Sequence, residues 1–185
     1  MCVIALCGTV GLALALTGCG ASDNAQPQAP SQAPSTPSLW ASPADPDAAV
    51  KTAVLTSYTS MWVEQMKAYR KASPEGTRLK DFATLDALSV IERDLATMKK
   101  NGARVVGGIG HGPEVVALDM EAKIATATVE DCIDLSHWRA QRTSGEAIPL
   151  PSAQPKRFVA TASMERWDNN RWMVTEYKPD QNQSC

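Results

Sequence analysis

Hydrophobic residues recur at three- and four-residue spacing after Asp45 and Pro46, and this pattern predicts a long amphipathic helix. Asp is a favoured capping residue and Pro is tolerated in the first helical turn, so we expect the helix to begin there. Its apolar positions extend over about seven turns and are Val50, Val54, Tyr58, Met61, Trp62, Met66 and Tyr69. A stripe of Met and aromatic residues could form a cofactor face, but at helical spacing it is more typical of a hydrophobic core.

A second helical region follows the break at residues 73–76 (SPEG). Leu79 and Phe82 predict a short helix, and another helix is expected from Leu85 onwards. Its apolar positions are Leu85, Leu88, Ile91, Leu95 and Met98. Gly102 suits the left-handed conformation that often ends a helix. The sequence therefore predicts one long and two shorter helices before any strand.

Beyond Gly102 the hydrophobic pattern changes to the alternation that is typical of strands. The predicted strands cover residues 105–106, 114–120, 123–131, 137–141, 158–167 and 171–178. Residues 167–172 (WDNNRW) predict a hairpin, because Asn tolerates the positive φ of a two-residue turn. Such a turn pairs Asp168 with Arg171 and Trp167 with Trp172. Helices followed by antiparallel strands predict an α+β domain whose helices cover one face of a curved sheet.

The chain begins with a segment that is typical of a targeting signal. Residues 1–18 are uncharged and residues 3–16 are almost entirely apolar, a run too short to span a bilayer comfortably. The run ends in residues 16–19 (LTGC), which resemble the bacterial lipobox and imply lipidation of Cys19. An ordinary secretory signal is the alternative. No Lys or Arg precedes the apolar run, which leaves the position of the natural start open.

Residues 19–44 are rich in Ala, Ser, Gln and Pro, and such a stretch cannot bury enough apolar surface to fold. We expect a disordered tether here, followed by one domain over residues 45–185 with a core of its own. Bacterial lipoproteins carry at least two acyl chains, which suffice for stable anchoring. The expected location is the extracytoplasmic face of the cell membrane.

Only two cysteines remain in the expected domain, because Cys2 and Cys7 leave with the signal peptide and Cys19 is consumed by lipid. Two thiols in an oxidising compartment pair by default, so a disulfide between Cys132 and Cys185 is predicted. Its long loop makes it worth about 4 kcal/mol. A metal-ligand or nucleophile role for Cys132 is the alternative, and it requires an activating partner and free access.

The long first helix, the helix pair of residues 79–88 (LKDFATLDAL) and the WDNNRW hairpin together resemble the NTF2-like (SnoaL-like, cystatin-like) cone fold. The lipobox, the tether, residues 131–138 (DCIDLSHW) and the terminal cysteine resemble small secreted lipoproteins of actinobacteria. The cone fold implies a pocket between the helices and the concave sheet. Enzymes of this fold use a pocket Asp or His as general acid or base, with Tyr or Asp donors.

The candidate catalytic residues that this resemblance implies are Asp131, Asp134 and His137, and the candidate ligand-binding residues are Tyr58, Trp62 and Trp138. Asp131 and Cys132 are neighbours on a strand, so only one of them can face the interior. The Asp and Ser residues of 134–136 also favour a plain turn after the strand. The structural interpretation of the stretch is the stronger one.

The glycine-rich residues 106–113 do not open a helix, so a strand connection with an exposed His111 is favoured over a phosphate site. Two histidines at unrelated spacing give no metal site, and no cofactor is expected. A net charge of −2 without a basic patch argues against nucleic-acid binding.

Three functions fit these observations. The first is non-catalytic binding of an apolar small molecule or a cell-envelope protein by a membrane-tethered domain. The second is an isomerase, cyclase or dehydratase, and the third is an accessory role in an envelope transport or secretion assembly. A pocket filled by side chains would disfavour the enzyme.

Overall fold

The computed structural model describes residues 45–185. The predicted signal peptide, Cys19 and the tether lie outside this part of the chain. The described residues form an α+β arrangement of two α-helices on two antiparallel sheets. No helix in this part of the chain is both long enough and apolar enough to cross a bilayer.

The elements follow the predicted order closely. The helices are α1 (Ala48–Lys71) and α2 (Leu85–Lys100), with single 3-10 turns at Leu79–Asp81 and Asp168–Asn170. The strands are β1 (Ala103–Gly107), β2 (Pro113–Asp119), β3 (Thr126–Asp134), β4 (Trp138–Arg142), β5 (Ala147–Ile148), β6 (Arg157–Trp167) and β7 (Arg171–Asp180).

The strands form two sheets where the sequence predicts one. Strands β1, β4 and β5 form the smaller sheet, and the larger sheet has the order β2–β3–β6–β7. An isolated antiparallel bridge between Gly110 and Asp134 lies where the β1–β2 connection passes the end of β3. This bridge attaches the β1–β2 connection to the end of β3 in the large sheet, next to the candidate site.

The prediction of three helices is wrong, because the segment from Leu79 makes only one 3-10 turn. The backbone after this turn bonds to β7 instead of continuing a helix. The carbonyl of Phe82 accepts the Val174 N–H at 2.8 Å, and the Thr84 N–H donates to the Val174 carbonyl at 2.9 Å. These bonds to a strand occupy the groups that a helix would have used. Leu85, which follows, is 55% exposed and does not join the core.

The start of α1 also differs in detail from the prediction. Asp47 is the residue before the helix, and its side chain makes no capping bond. Asp45 instead accepts the Asp47 N–H at 2.9 Å and pairs with Lys51 at 2.8 Å. The predicted cap therefore stabilises the approach to α1 rather than its first turn.

One apolar core joins both helices to the sheets. Helix α1 packs against β7, β1 and β2, and α2 packs against β7 and β1. The Met and aromatic stripe of α1 is core as predicted: its fully or nearly fully buried members are Val54, Tyr58, Met61, Trp62, Met66 and Tyr69.

The β6–β7 hairpin is present, but its predicted register is wrong by one residue. Trp167 pairs with Arg171 and Arg166 pairs with Trp172, so the turn has three residues instead of two. Both Asn169 and Asn170 adopt positive φ, near 58° and 57°, as expected of turn asparagines. The extra turn residue buries Trp172 and leaves Trp167 38% exposed.

Candidate functional site

Strand β3 places one carboxylate inside the apolar core. The inward side chains of this strand are Ala127, Val129, Asp131 and Ile133, and each is at most 4% exposed. Asp131 is 1% exposed, with its side chain fully covered. A buried carboxylate is costly unless hydrogen bonds replace its lost hydration. The partners of Asp131 are therefore the first question about this site.

Three donors from two other elements satisfy Asp131. The Tyr58 hydroxyl of α1 donates to Oδ2 at 2.8 Å, and Nδ1 of His111 lies 2.7 Å from the same oxygen. The Gly112 N–H donates to Oδ1 at 2.7 Å. Both carboxylate oxygens are thus occupied, in bonds of the short length that charged acceptors give. Asp131 holds α1 and the β1–β2 connection together and has little capacity left for a substrate proton.

Residues 108–112, hereafter the His111 loop, reach Asp131 because glycines allow close backbone approaches. Gly107, just before the loop, has φ near 82°, and a Cβ there would overlap the His137 carbonyl oxygen. A Cβ on Gly110 would lie 3.0 Å from the Cβ of Asp134. Gly110 also exchanges backbone bonds of 2.8 and 3.0 Å with Asp134. The glycine-rich run therefore serves to pack the loop against the end of β3 and the start of β4.

His111 is an exposed loop residue, as the sequence predicts, but its ring has a specific partner. The residue as a whole is exposed, but its ring turns inward onto Asp131 and only 22% of the side chain is accessible. Its ring centroid lies 4.9 Å from that of Trp62. In the tautomer with the proton on Nδ1, the ring donates to the Asp131 carboxylate, and Nε2 is the nitrogen left for another partner.

An aromatic cluster fills the space around Asp131. The Trp62 ring lies 6.5 Å from that of Tyr58 and 5.4 Å from that of Tyr177, both edge-on. The indole N–H of Trp62 is buried and has no hydrogen-bond partner among the described residues. The interior that a cone fold would keep as a pocket is here occupied by these rings.

Burial and the charge of Asp131 act together on the nearby tyrosines. Desolvation, followed by the negative charge of Asp131, raises the pKa of Tyr58 far above its ordinary value. The same two causes raise the pKa of Tyr177. Tyr69 lies further along α1 and donates to Asp94 at 2.8 Å, and its pKa is raised by burial and then by that carboxylate. All three phenols are thus kept neutral, and Tyr58 and Tyr69 donate hydrogen bonds to carboxylates.

A cleft opens on the solvent side of this cluster, between α1 and the His111 loop. It has a volume of about 300 Å³, and we name it the Trp62 cleft. Its wall on α1 and on the loop is formed by Thr59, Trp62, Val63, Met66, Lys67, Arg70, Gly108, Ile109 and His111. Four of these side chains are apolar, two are cationic, and no carboxylate lines the cleft.

A larger cleft of about 490 Å³ lies away from Asp131, between α1, the first 3-10 turn and the β6–β7 hairpin. We name it the Arg171 cleft. Arg78 and Arg171 both line it, but Asp81 lines it too and bonds the Arg78 Nε at 2.8 Å. Its cationic character is therefore partly cancelled within the cleft.

The structure brings some predicted site residues together and separates others. Tyr58, Trp62 and Asp131 meet in one cluster, as described above. Trp138 is half-buried against the core and pairs with Gly107 in the small sheet. His137 is exposed, and its carbonyl accepts the Gly108 N–H at 3.2 Å.

Asp134 lies at the end of β3, outside the Asp131 cluster. Its Oδ1 accepts the Ser136 N–H at 2.8 Å, which forms the turn that its residue type favours. The Ser136 hydroxyl and N–H hold the pKa of the Asp134 carboxyl below its usual value. This carboxylate is solvated and serves the turn.

The outward side of β3 carries the disulfide. A bond joins Cys132 to Cys185, with the two Cα atoms 5.8 Å apart. Cys132 points away from the core because its neighbour Asp131 points into it. The Arg157 guanidinium lies 3.4 Å from the Cys132 sulfur. The C-terminal residue is thereby attached to the outer face of the large sheet.

Among residues 45–185 no group of three or more His, Cys, Asp or Glu side chains is arranged to hold a metal ion. The residues that sequence reasoning does not select are His111, Gly112, Ile109 and Arg70. A glycine-rich run with one histidine was the available signal, but the pairing of His111 with Asp131 depends on the fold.

Comparison with known proteins gives no assignment by sequence. No protein-family model matches the chain, and no curated protein matches it significantly. Among solved structures, the intermembrane space region of the chloroplast protein ARC6 is 11% identical, with a TM-score of 0.42, over 70% of this chain and 95% of that one. The periplasmic domain of DotI is 15% identical, with a TM-score of 0.46, over 76% of this chain and 99% of that one.

A structure from Catenulispora acidiphila is 12% identical, with a TM-score of 0.36, over 71% of this chain and 93% of that one. All three TM-scores lie below 0.5. These likenesses therefore assign neither a family nor a function to the chain.

Proposed function

We propose that this protein is a lipid-anchored, extracytoplasmic binding protein whose NTF2-like domain takes a small, largely apolar molecule in the Trp62 cleft without transforming it. The lipobox-like residues 16–19 support the anchor, and the helices-then-strands order supports the fold family. The observation that carries the binding function is the Trp62 cleft itself.

The Trp62 cleft combines an apolar wall with few polar groups, which is the usual composition of a small-molecule site. Trp62 and Met66 are nearly buried members of the core, so they give the cleft a rigid floor. Val63, at the rim, is 54% exposed and has no apolar cover from residues 45–185. A volume of about 300 Å³ is at the small end of the range for ligand sites.

The hydrogen bonds of Asp131 favour binding over catalysis. A general base needs a free lone pair within reach of the substrate, and a general acid needs a proton to give. Asp131 accepts three hydrogen bonds and is fully covered, whereas Asp134 and His137 lie outside the cleft. The side chains proposed for acid–base work are therefore either saturated or away from the cleft.

The binding function is tested with the full chain in phosphatidylcholine nanodiscs, with 1-octanol as the probe. The expected result is a saturable shift of the Met66 methyl resonance, because Met66 lies in the wall of the cleft. The Val63→Asp variant should weaken the shift by placing a charge at the apolar rim. The matched control is Val90→Asp, which is also on an exposed helical position but lies on α2.

No saturable shift in the wild-type chain, or equal loss in both variants, would rule out the Trp62 cleft as the site. The anchor is tested separately by cell fractionation. Cys19→Ala should move the protein out of the membrane fraction, and unchanged fractionation would remove the lipid anchor from the proposal.

A further inference from the structure

The charges around the Trp62 cleft are one-sided, although the chain as a whole is slightly acidic. The formal net charge of the chain is −2. The cleft nevertheless has Lys67, Arg70 and His111 in its wall and no Asp or Glu. Two carboxylates outside the wall contact residues of it: Glu64 bonds Lys67, and Asp131 bonds His111.

Lys67 contributes little free charge to the cleft. Its Nζ lies 2.6 Å from the Glu64 carboxylate, one helical turn away on α1. Glu64 is 7% exposed and also accepts the Arg78 N–H at 2.9 Å, so it is fixed in place. The pair is close to neutral as a unit.

Arg70 is the uncompensated cation. One of its Nη2 hydrogens bonds the Gly107 carbonyl at 3.0 Å, which fixes the guanidinium beside the start of the His111 loop. A guanidinium has five N–H donors, so most of them remain for another acceptor. Among residues 45–185 no carboxylate lies within ion-pair distance of Arg70; the ion pairs of this part of the chain involve other side chains.

His111 adds a second oriented group. Asp131 fixes the ring through Nδ1, and Trp62 packs against it, so the direction of Nε2 is set before any ligand arrives. The free Arg70 donors and this oriented ring thus belong to the same cleft wall as Trp62, Met66 and Ile109.

We infer that the ligand of the Trp62 cleft is an amphipathic anion, namely a small carboxylate with an apolar tail. This inference rests on the proposed binding function and specifies its ligand class. The carboxylate is held by Arg70, because charge-assisted hydrogen bonds from a guanidinium are strong and directional. The tail lies on Trp62, Met66 and Ile109, out of water.

The Arg171 cleft offers an internal comparison. It is larger, and it also contains arginine, but Asp81 shares it and Arg78 is already bonded to that carboxylate. Arginine alone therefore does not distinguish the two clefts. The distinction is the absence of acidic side chains from the wall of the Trp62 cleft.

The test compares octanoate, 1-octanol and octylammonium on the full chain in phosphatidylcholine nanodiscs, with the Met66 methyl resonance as the readout. These probes share a tail and differ in the charge of the head. Octanoate should bind about tenfold more tightly than 1-octanol, the ratio that one charge-assisted hydrogen bond gives. Octylammonium should bind more weakly than 1-octanol.

Arg70→Gln should abolish the preference for octanoate while 1-octanol binding is retained, and Arg70→Lys should keep part of the preference. Arg171→Gln is the matched control, because it removes an exposed arginine from the other cleft and should leave the preference unchanged. Retained 1-octanol binding by Arg70→Gln also shows that this variant is folded.

Equal affinity for octanoate and 1-octanol in the wild-type chain would overturn the anion inference and leave the proposed apolar binding standing. Loss of octanoate binding in Arg171→Gln, but not in Arg70→Gln, would overturn it as well. If none of the three probes shifts Met66, both the inference and the proposed function are wrong.

Discussion

Strand β3 has an aspartate on each face, and the two aspartates have different roles. On the inward face, Asp131 is 1% exposed and holds α1 and the His111 loop through three hydrogen bonds. On the outward side of the strand end, Asp134 accepts a bond from Ser136 and stays in water. Between them Cys132 faces outward and bonds Cys185. Asp131 on the inward face positions the site, and Cys132 on the outward face attaches Cys185 to the sheet.

This difference arises from alternation rather than from the identity of the side chains. Neighbouring strand residues point to opposite faces, so the burial of Ile133 and Val129 forces Asp131 inside with them. Once inside, the carboxylate must be satisfied, and its partners come from other elements. Buried Asp131 therefore connects distant parts of the chain, whereas the side chain of Asp134 bonds its own neighbour Ser136.

The largest effect is expected on the inward face, from Asp131→Ala. This change leaves the buried Tyr58 hydroxyl, and with it His111 Nδ1 and the Gly112 N–H, without their acceptor. The free energy of unfolding should fall by about 3 to 5 kcal/mol, as is typical when one partner of a buried charged network is removed. Urea denaturation followed by circular dichroism measures the change.

The conservative variant for comparison is Asp131→Asn, which keeps the shape and one acceptor oxygen. It should lower the free energy of unfolding less than Asp131→Ala does. A loss below about 1 kcal/mol for Asp131→Ala would show that the network does not hold the elements together, and the contrast between the two faces of β3 would disappear.

The next effect belongs to the outward face. Replacing Cys132 and Cys185 by serine should lower the free energy of unfolding by about 2 to 4 kcal/mol, because a cross-link over this separation restricts the unfolded chain strongly. Denaturant unfolding with and without a reductant measures it. The reductant should destabilise the wild-type chain and leave the double serine variant unchanged; equal behaviour of the two would show that the bond contributes nothing.

The elements themselves could be predicted from the sequence, because their signals are local. The three- and four-residue spacing from Val50 to Tyr69 predicts α1. The adjacency of Asp131 and Cys132 on a strand predicts that they face opposite sides. Local patterns fail where the outcome depends on pairing. The segment after Leu79 becomes a single 3-10 turn because β7 takes its backbone bonds.

The candidate site was less predictable than the fold for the same reason. His111 and Asp131 are twenty residues apart, and no local pattern in either stretch predicts that the His111 loop crosses the end of β3. The glycines at 107 and 110 permit that crossing, but glycine-rich runs permit many geometries. The Trp62 cleft likewise exists only after α1 and the loop have met.

Alkaline pH provides a third test, which again concerns the inward face. Burial and nearby carboxylates raise the pKa of Tyr58, Tyr69 and Tyr177 above the ordinary tyrosine value, so the folded state keeps protons that the unfolded chain releases. Their contribution to stability is complete below about pH 10, the ordinary pKa, and is lost as pH rises toward the folded-state pKa values.

Denaturation midpoints between pH 8 and pH 12 measure this loss. Tyr69→Phe, which removes one of the three phenols without touching the Asp131 cluster, should flatten the decline. A midpoint that stays constant across this range would contradict the burial of the phenols. It would also weaken the contrast between the inward and outward faces of β3.

The smallest effect is expected from Asp134→Ala on the outward side. The Gly110–Asp134 bridge uses only backbone groups, so it survives the change, and the lost bond from Ser136 lies in water. The melting temperature should stay within about 2 °C of the wild type.

Because the pKa of the Asp134 carboxyl is lowered, its small contribution to stability is present at neutral pH and is lost as pH falls below about 4. Thermal melts at pH 7 and pH 3 should therefore bring the two proteins closer together at the lower pH. A melting temperature that falls as far as that of Asp131→Ala would mean that the Asp134 side chain holds the strand end. Alternation along β3 would then no longer separate Asp131, which positions the site, from Asp134, which only forms a turn.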